Sequence, residues 1–215
     1  MKKYKFTGET KTIYLPFGTV TLHRIKAVVE FGLVKVGDLG GWIEKEENLS
    51  HEENAWVCGN AEVCGNAKVY GNAKVCGNAK VYGDAEVYGN AEVRGNAKVY
   101  GDAEVYGDAK VYGDAEVRGN AWVCGNAWVC GNAKVFSTDH VLVIGAIGSR
   151  NDFTTFFRDK DNEITVKCGC FLGKIDKFLE KVTQTHKDTK HALVYRAAVE
   201  VAKLQIDLTE KSTRR

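Results

Sequence analysis

Between Asn54 and Phe136 a six-residue unit, G-[N/D]-A-x-V-x, repeats with almost no variation. Valine stands at position 57 and at every sixth residue through 135, fourteen times in all, with alanine two residues before each. A period this strict marks a repeat architecture and limits the fold before any other motif is weighed. A strand of about four residues plus a two-residue turn makes six. Because side chains alternate along a strand, Val and the preceding Ala face one interior. Gly followed by Asn or Asp supplies the turn, since these residues enter left-handed backbone conformations at little cost. Three such units close a triangle at eighteen residues per coil. The period predicts a parallel β-solenoid, with each valine about 4.8 Å above its equivalent in the previous coil.

Folding the sequence at eighteen residues lays out the outer faces. The position before valine gives Trp56-Lys74-Glu92-Lys110-Trp128, Glu62-Lys80-Lys98-Glu116-Lys134 and Lys68-Glu86-Glu104-Trp122. The position after it gives Cys58-Cys76-Arg94-Tyr112-Cys130, Cys64-Tyr82-Tyr100-Arg118-Phe136 and Tyr70-Tyr88-Tyr106-Cys124. The Tyr70-Tyr88-Tyr106 column has two readings: stacked aromatics that shield a sheet face, or a subunit interface. Trp122 and Trp128, with Cys124 and Cys130, make the last coil apolar outside, which suits packing of the carboxy-terminal segment there.

Runs such as GNAKVYGDAEVYGNAEVRGNA resemble the hexapeptide-repeat, left-handed parallel β-helix superfamily. The left hand comes from that resemblance alone and runs against the usual right-handed crossover preference. The GDLGGWIEKEENLS entry joined to G-N-A-x-V-Y repeats is most similar to hexapeptide-repeat proteins of bacteriophages and of prophages in Gram-positive bacteria. The resemblance implies a homotrimer as the preferred assembly. It also raises an acyl-CoA-dependent acyltransferase, because many superfamily members are such enzymes and rely on a histidine base near a subunit boundary.

The flanks break the pattern. Residues 1–37 read as an amino-terminal β cap, with strands at Lys3–Phe6, Thr12–Leu15 and Thr19–Phe31 and turns at Thr7-Gly8 and Pro16-Phe17-Gly18. A phase switch in the apolar alternation predicts a bulge near His23-Arg24. Residues 38–153 read as the β-helix, entered through two imperfect hexads with a two-residue excess around Ser50–Glu53. Val141, Ile147 and Phe153 keep the spacing of six and predict one degenerate final coil. Residues 154–215 read as an α/β cap. A hairpin is expected around Asp159–Asn162, helices over Lys174–Thr185 and Thr189–Leu208, and a frayed Lys211–Arg215 end.

Composition narrows the function. The net charge of +2, with 8 Lys/Arg against 9 Asp/Glu inside the repeat, predicts no strong attraction to nucleic acid or anionic membrane. No apolar run suits a membrane span or a signal core, so the expected site is the cytoplasm of a bacterial host cell. Seven cysteines, an odd number with five at one repeat position, read as reduced thiols. The side chains of Cys58 and Cys76 should run parallel, which reads as poor disulfide geometry. No metal or cofactor is expected: Cys168-Gly169-Cys170 offers too few ligands, and the ladders lack the three histidines of the γ-type carbonic anhydrases that the superfamily includes.

The repeat contains no histidine, which leaves His51 and His140 as the only bases for the acyltransferase alternative. The densest polar cluster is Gly148, Ser149, Arg150, Asn151, Thr154 and Thr155. Its glycine, hydroxyls and guanidinium suit an anionic group, and the bland reading is a turn between solenoid and cap. The expectation is therefore a non-catalytic, homo-oligomeric binding or scaffold protein that sequesters a small anionic ligand or a host defence protein. A structural virion component is a further alternative.

Overall fold

The fold follows directly from the repeat. In a computed structural model, which describes residues 1–15 and 18–209, the Val and Ala of every hexad are buried and form one continuous core. Valines pair in parallel at the expected spacing, Val57 with Val75 and Val75 with Val93 on one face, Val63 with Val81 and Val69 with Val87 on the others. Backbone donors reach the next coil all along the rod. Lys74 N–H donates to the Ala91 carbonyl at 2.9 Å, Cys76 N–H to Val93 at 2.9 Å and Asn78 N–H to Gly95 at 2.8 Å. The turn glycines all have positive φ, from 62° at Gly125 to 76° at Gly77. Asn and Asp beside them form exposed ladders, such as Asn60 to Asn78 at 3.3 Å and Asn96 to Asp114 at 2.9 Å.

The front is closed by an antiparallel pair, β1 (Tyr4–Leu15) and β2 (Gly18–Ala27), which joins the rod through β3 (Leu39–Ile43). Tyr4, Ile25 and Ala27 are buried on the first coil, and the Tyr4 hydroxyl donates to the Leu49 carbonyl at 2.8 Å. The two-residue excess is present. Ile43 pairs with Val63 and Leu49 with Val69, with Glu53 at φ 51° in the inserted turn. Thr7-Gly8 forms no turn between strands, contrary to expectation. It lies in a bulge of β1, where Phe6 faces Ile25 and Thr10 faces His23, and Gly8 at φ 95° absorbs the kink. The bulge expected in β2 at His23-Arg24 thus sits on the strand opposite, while β2 against β3 slips between Arg24 and Lys26. Pro16 and Phe17 of the expected turn, and the Lys211–Arg215 end, lie outside the described residues.

The degenerate final coil does not form. Val141–Ile147 runs antiparallel to Asp152–Arg158, and Ile164–Cys168 and Phe171–Lys174 complete a four-stranded cap sheet. Residues 136–153 lack the Gly-Asn turns that would bend the chain by a third of a coil, so the chain reverses at Gly148–Asn151 instead. Helices α1 (Ile175–His186) and α2 (Lys190–Gln205) cover one face of this sheet. The strand Asp152–Arg158 serves two cores by simple alternation. Phe156 enters the helix core, while Phe157 enters the end of the rod.

A second correction concerns the thiols. Cys58 and Cys76 are joined by a disulfide, and the other five cysteines are free. Parallel side chains one coil apart put the Cα atoms 4.7 Å from each other, inside the span a disulfide bridges.

Candidate functional site

The Tyr70-Tyr88-Tyr106 column is stacked, with ring centroids 4.8 and 5.0 Å apart and planes within a few degrees. Tyr70 donates to Glu86 at 2.8 Å and Tyr88 to Glu104 at 2.7 Å. Burial first, then the neighbouring carboxylate, pushes both phenols up. The strip ends at Cys124, and the neighbouring Lys68-Glu86-Glu104 column of the same face ends at Trp122, which is 49% exposed. Trp128, at the end of the adjacent column, is met by the cap: its N–H donates to Thr155 Oγ1 at 3.0 Å, and the Lys167 ammonium lies 4.0 Å from its ring.

The sequence-nominated polar cluster is divided by the strand that carries half of it. Thr154 and Thr155 are adjacent, so they point to opposite faces. Buried Thr154 donates to Cys168 Sγ at 3.3 Å on the helix side, whereas buried Thr155 receives the Trp128 N–H on the rod side. Asn151 takes φ 50° at the exposed apex of the reversal. Gly148 lies against Tyr195, where an added Cβ would fall 1.9 Å from the phenol oxygen.

Ser149 and Arg150 line a cavity of about 310 Å³ between the reversal, the Cys168–Phe171 turn and both helices. Its deep wall is aromatic: Phe171 and Phe178 lie 5.3 Å apart by centroid, Phe178 and Tyr195 5.5 Å, and Tyr195 and His186 5.7 Å. Its rim holds Arg150, Lys181 and Asp152. The Arg150 guanidinium folds over Gly169, where a Cβ would sit 2.8 Å from Nη1. Burial first, then Cys168, pushes the Tyr195 phenol up to about 12, while Ser149 N–H donates to it. Lys181, His186 and Tyr195 were not singled out by sequence, because on an amphipathic helix their spacing reads as solvated face and core.

The two candidate bases sit at opposite ends of the rod in structural roles. His51 stacks on Tyr4 at 4.2 Å, and its Nδ1 accepts from Lys3 N–H at 3.3 Å. Burial lowers its pKa. His140 is buried, with Nδ1 accepting from Phe136 N–H at 3.1 Å. Among the described residues no cluster of three or more His, Cys, Asp or Glu is placed to hold a metal ion, and no helix is long and apolar enough to cross a membrane. The chain matches no family model and no curated protein.

Proposed function

We propose that the protein is a non-catalytic binding and scaffold protein of the phage or prophage type, homo-oligomeric and cytoplasmic, whose cap sequesters a small anionic ligand. The observation that carries this reading is the cap cavity, a space of about 310 Å³ lined by both Arg150 and Lys181. That volume lies at the lower end of ordinary small-molecule sites. The cavities along the rod, of about 450 and 460 Å³, mix their lysines with carboxylates, Lys74 with Glu92 in one and Lys110 and Lys167 with Glu92, Asp108 and Asp152 in the other, which suits a lone anion less well. The engagement of His51 and His140 with backbone N–H groups weighs against an acyltransferase base.

The trimer draws its support from the stacked tyrosine strip and the exposed Trp122 on the same face, a composition enriched at subunit contacts. Native mass spectrometry tests both parts. The expected result is a multiple of the 23.7 kDa chain carrying a small ligand that Arg150→Ala loses. A bare monomer at micromolar concentration, unchanged by the substitution, would overturn the proposal.

A further inference from the structure

The cap cavity combines two recognition chemistries that a simple anion would not use together. Four rings, Phe171, Phe178, Tyr195 and His186, form a connected wall with successive centroids 5.3 to 5.7 Å apart. Phe178 stands edge-on to Tyr195 at 86°, so the wall offers both ring edges and ring faces. The cations stand at the rim, where a guanidinium presents a planar fork to an oxyanion. Two glycines keep this arrangement open. A side chain at Gly148 would overlap the Tyr195 phenol, and one at Gly169 would displace the Arg150 guanidinium.

Resting on the small-anion reading of the cap, we infer that the ligand is an aromatic oxyanion. Its flat ring lies against the Phe171–Phe178–Tyr195 wall, and its phosphate or similar group sits at Arg150 and Lys181. An inorganic ion would leave the wall empty and gain only the rim contacts. A neutral apolar molecule would fill the wall and make no use of the guanidinium at the rim. An aliphatic phosphate satisfies both regions but forgoes ring–ring contacts, which are worth roughly 2- to 12-fold in affinity per pair. Asp152 at the rim opposes a second negative group on its side of the mouth, which favours an anion centred on Arg150 and Lys181.

Calorimetry on the full chain with phenyl phosphate, cyclohexyl phosphate and inorganic phosphate tests the inference. Phenyl phosphate is expected to bind at least tenfold more tightly than inorganic phosphate and at least threefold more tightly than cyclohexyl phosphate. Arg150→Ala should weaken phenyl phosphate tenfold or more. Phe171→Leu, at a partly exposed position, should weaken phenyl phosphate while leaving inorganic phosphate unchanged. If phenyl and cyclohexyl phosphate bind equally, or inorganic phosphate matches both, the aromatic class is wrong while the anion site stands. If none of the three binds at millimolar concentration, the anion site itself is overturned.

Discussion

Gly107 and Gly125 occupy equivalent turns one coil apart, and substituting each with alanine separates two reasons for glycine. Their backbones make the same demand, with φ at 72° and 62°. Their surroundings differ. A Cβ on Gly107 would sit 2.9 Å from Gly125 N, whereas a Cβ on Gly125 would meet nothing within 4 Å. Holding a non-glycine residue at positive φ costs roughly 1–2 kcal/mol, the whole loss expected for Gly125→Ala. Gly107→Ala adds an overlap that the coils cannot relieve by sliding. Asn90 N–H donates to the Gly107 carbonyl at 2.8 Å, and Asp108 N–H donates to the Gly125 carbonyl at 2.9 Å. Overpacking of about 1–3 kcal/mol brings the expected total to about 2–5 kcal/mol. For a chain of this size each kcal/mol lowers Tm by about 2–4 °C. Thermal melts followed by circular dichroism should show falls of roughly 2–8 °C for Gly125→Ala and roughly 4–20 °C for Gly107→Ala. Equal falls would refute the reasoning, because φ alone would then explain the glycine.

Two further outcomes follow from the ladders and the cap. Oxidised protein, denatured without reductant, should titrate five thiols and reach seven after reduction, and seven at once would remove the Cys58–Cys76 bridge. Replacing both cysteines with serine should cost up to about 3 kcal/mol, since the bridge closes a short loop. The second outcome is acid sensitivity. Burial alone would raise the Asp159 carboxyl, but hydrogen bonds from Lys174, Thr165 and the N–H groups of Asp161 and Glu163 outweigh it and hold it low. Glu62 and Glu116 are likewise held low against burial, by Lys11 and Lys80 and by Lys134 and Tyr100. The unfolded chain therefore takes up protons first as pH falls, so this stability is full above about pH 4.5 and drains away below it. Asp159→Asn should cost about 2–3 kcal/mol at neutral pH and flatten that acid slope in urea titrations. An unchanged slope would show that Asp159 does not carry it.

The rod could be read from sequence because its information is local and redundant. Each hexad states its own strand, turn and inward pair, and fourteen repetitions fix the register of Val57 on Val75 without any knowledge of the ends. The helices were readable for the same reason, since Ile175, Phe178 and Val182 repeat at helical spacing and are buried. The ends were less so. Val141 keeps the spacing of six, yet a spacing without its Gly-Asn turn carries no instruction to bend, and the strand reverses at Gly148 instead. The Cys58–Cys76 bridge is not legible in the repeat, where side chains that run parallel read as poor disulfide geometry. The controlling quantity is the 4.7 Å between their Cα atoms, which the coil stacking sets.

The candidate site was half hidden for a related reason. Arg150 and Ser149 stand in a reversal, where neighbours in sequence can share a space, but Thr154 and Thr155 stand in a strand, where neighbours must part. The alternation that divides them also joins the two halves of the molecule. Phe156 belongs to the helix core beside the cavity, and Phe157 to the core of the rod, so the helix core and the solenoid share one strand. The strand enters the rod with Asp159 bridged to Ala133, and Lys160 N–H donates to the Asn132 carbonyl at 3.1 Å. Under the proposed oligomer the cap cavities would be carried at the ends of the rods, a role that fourteen chemically monotonous hexads suit.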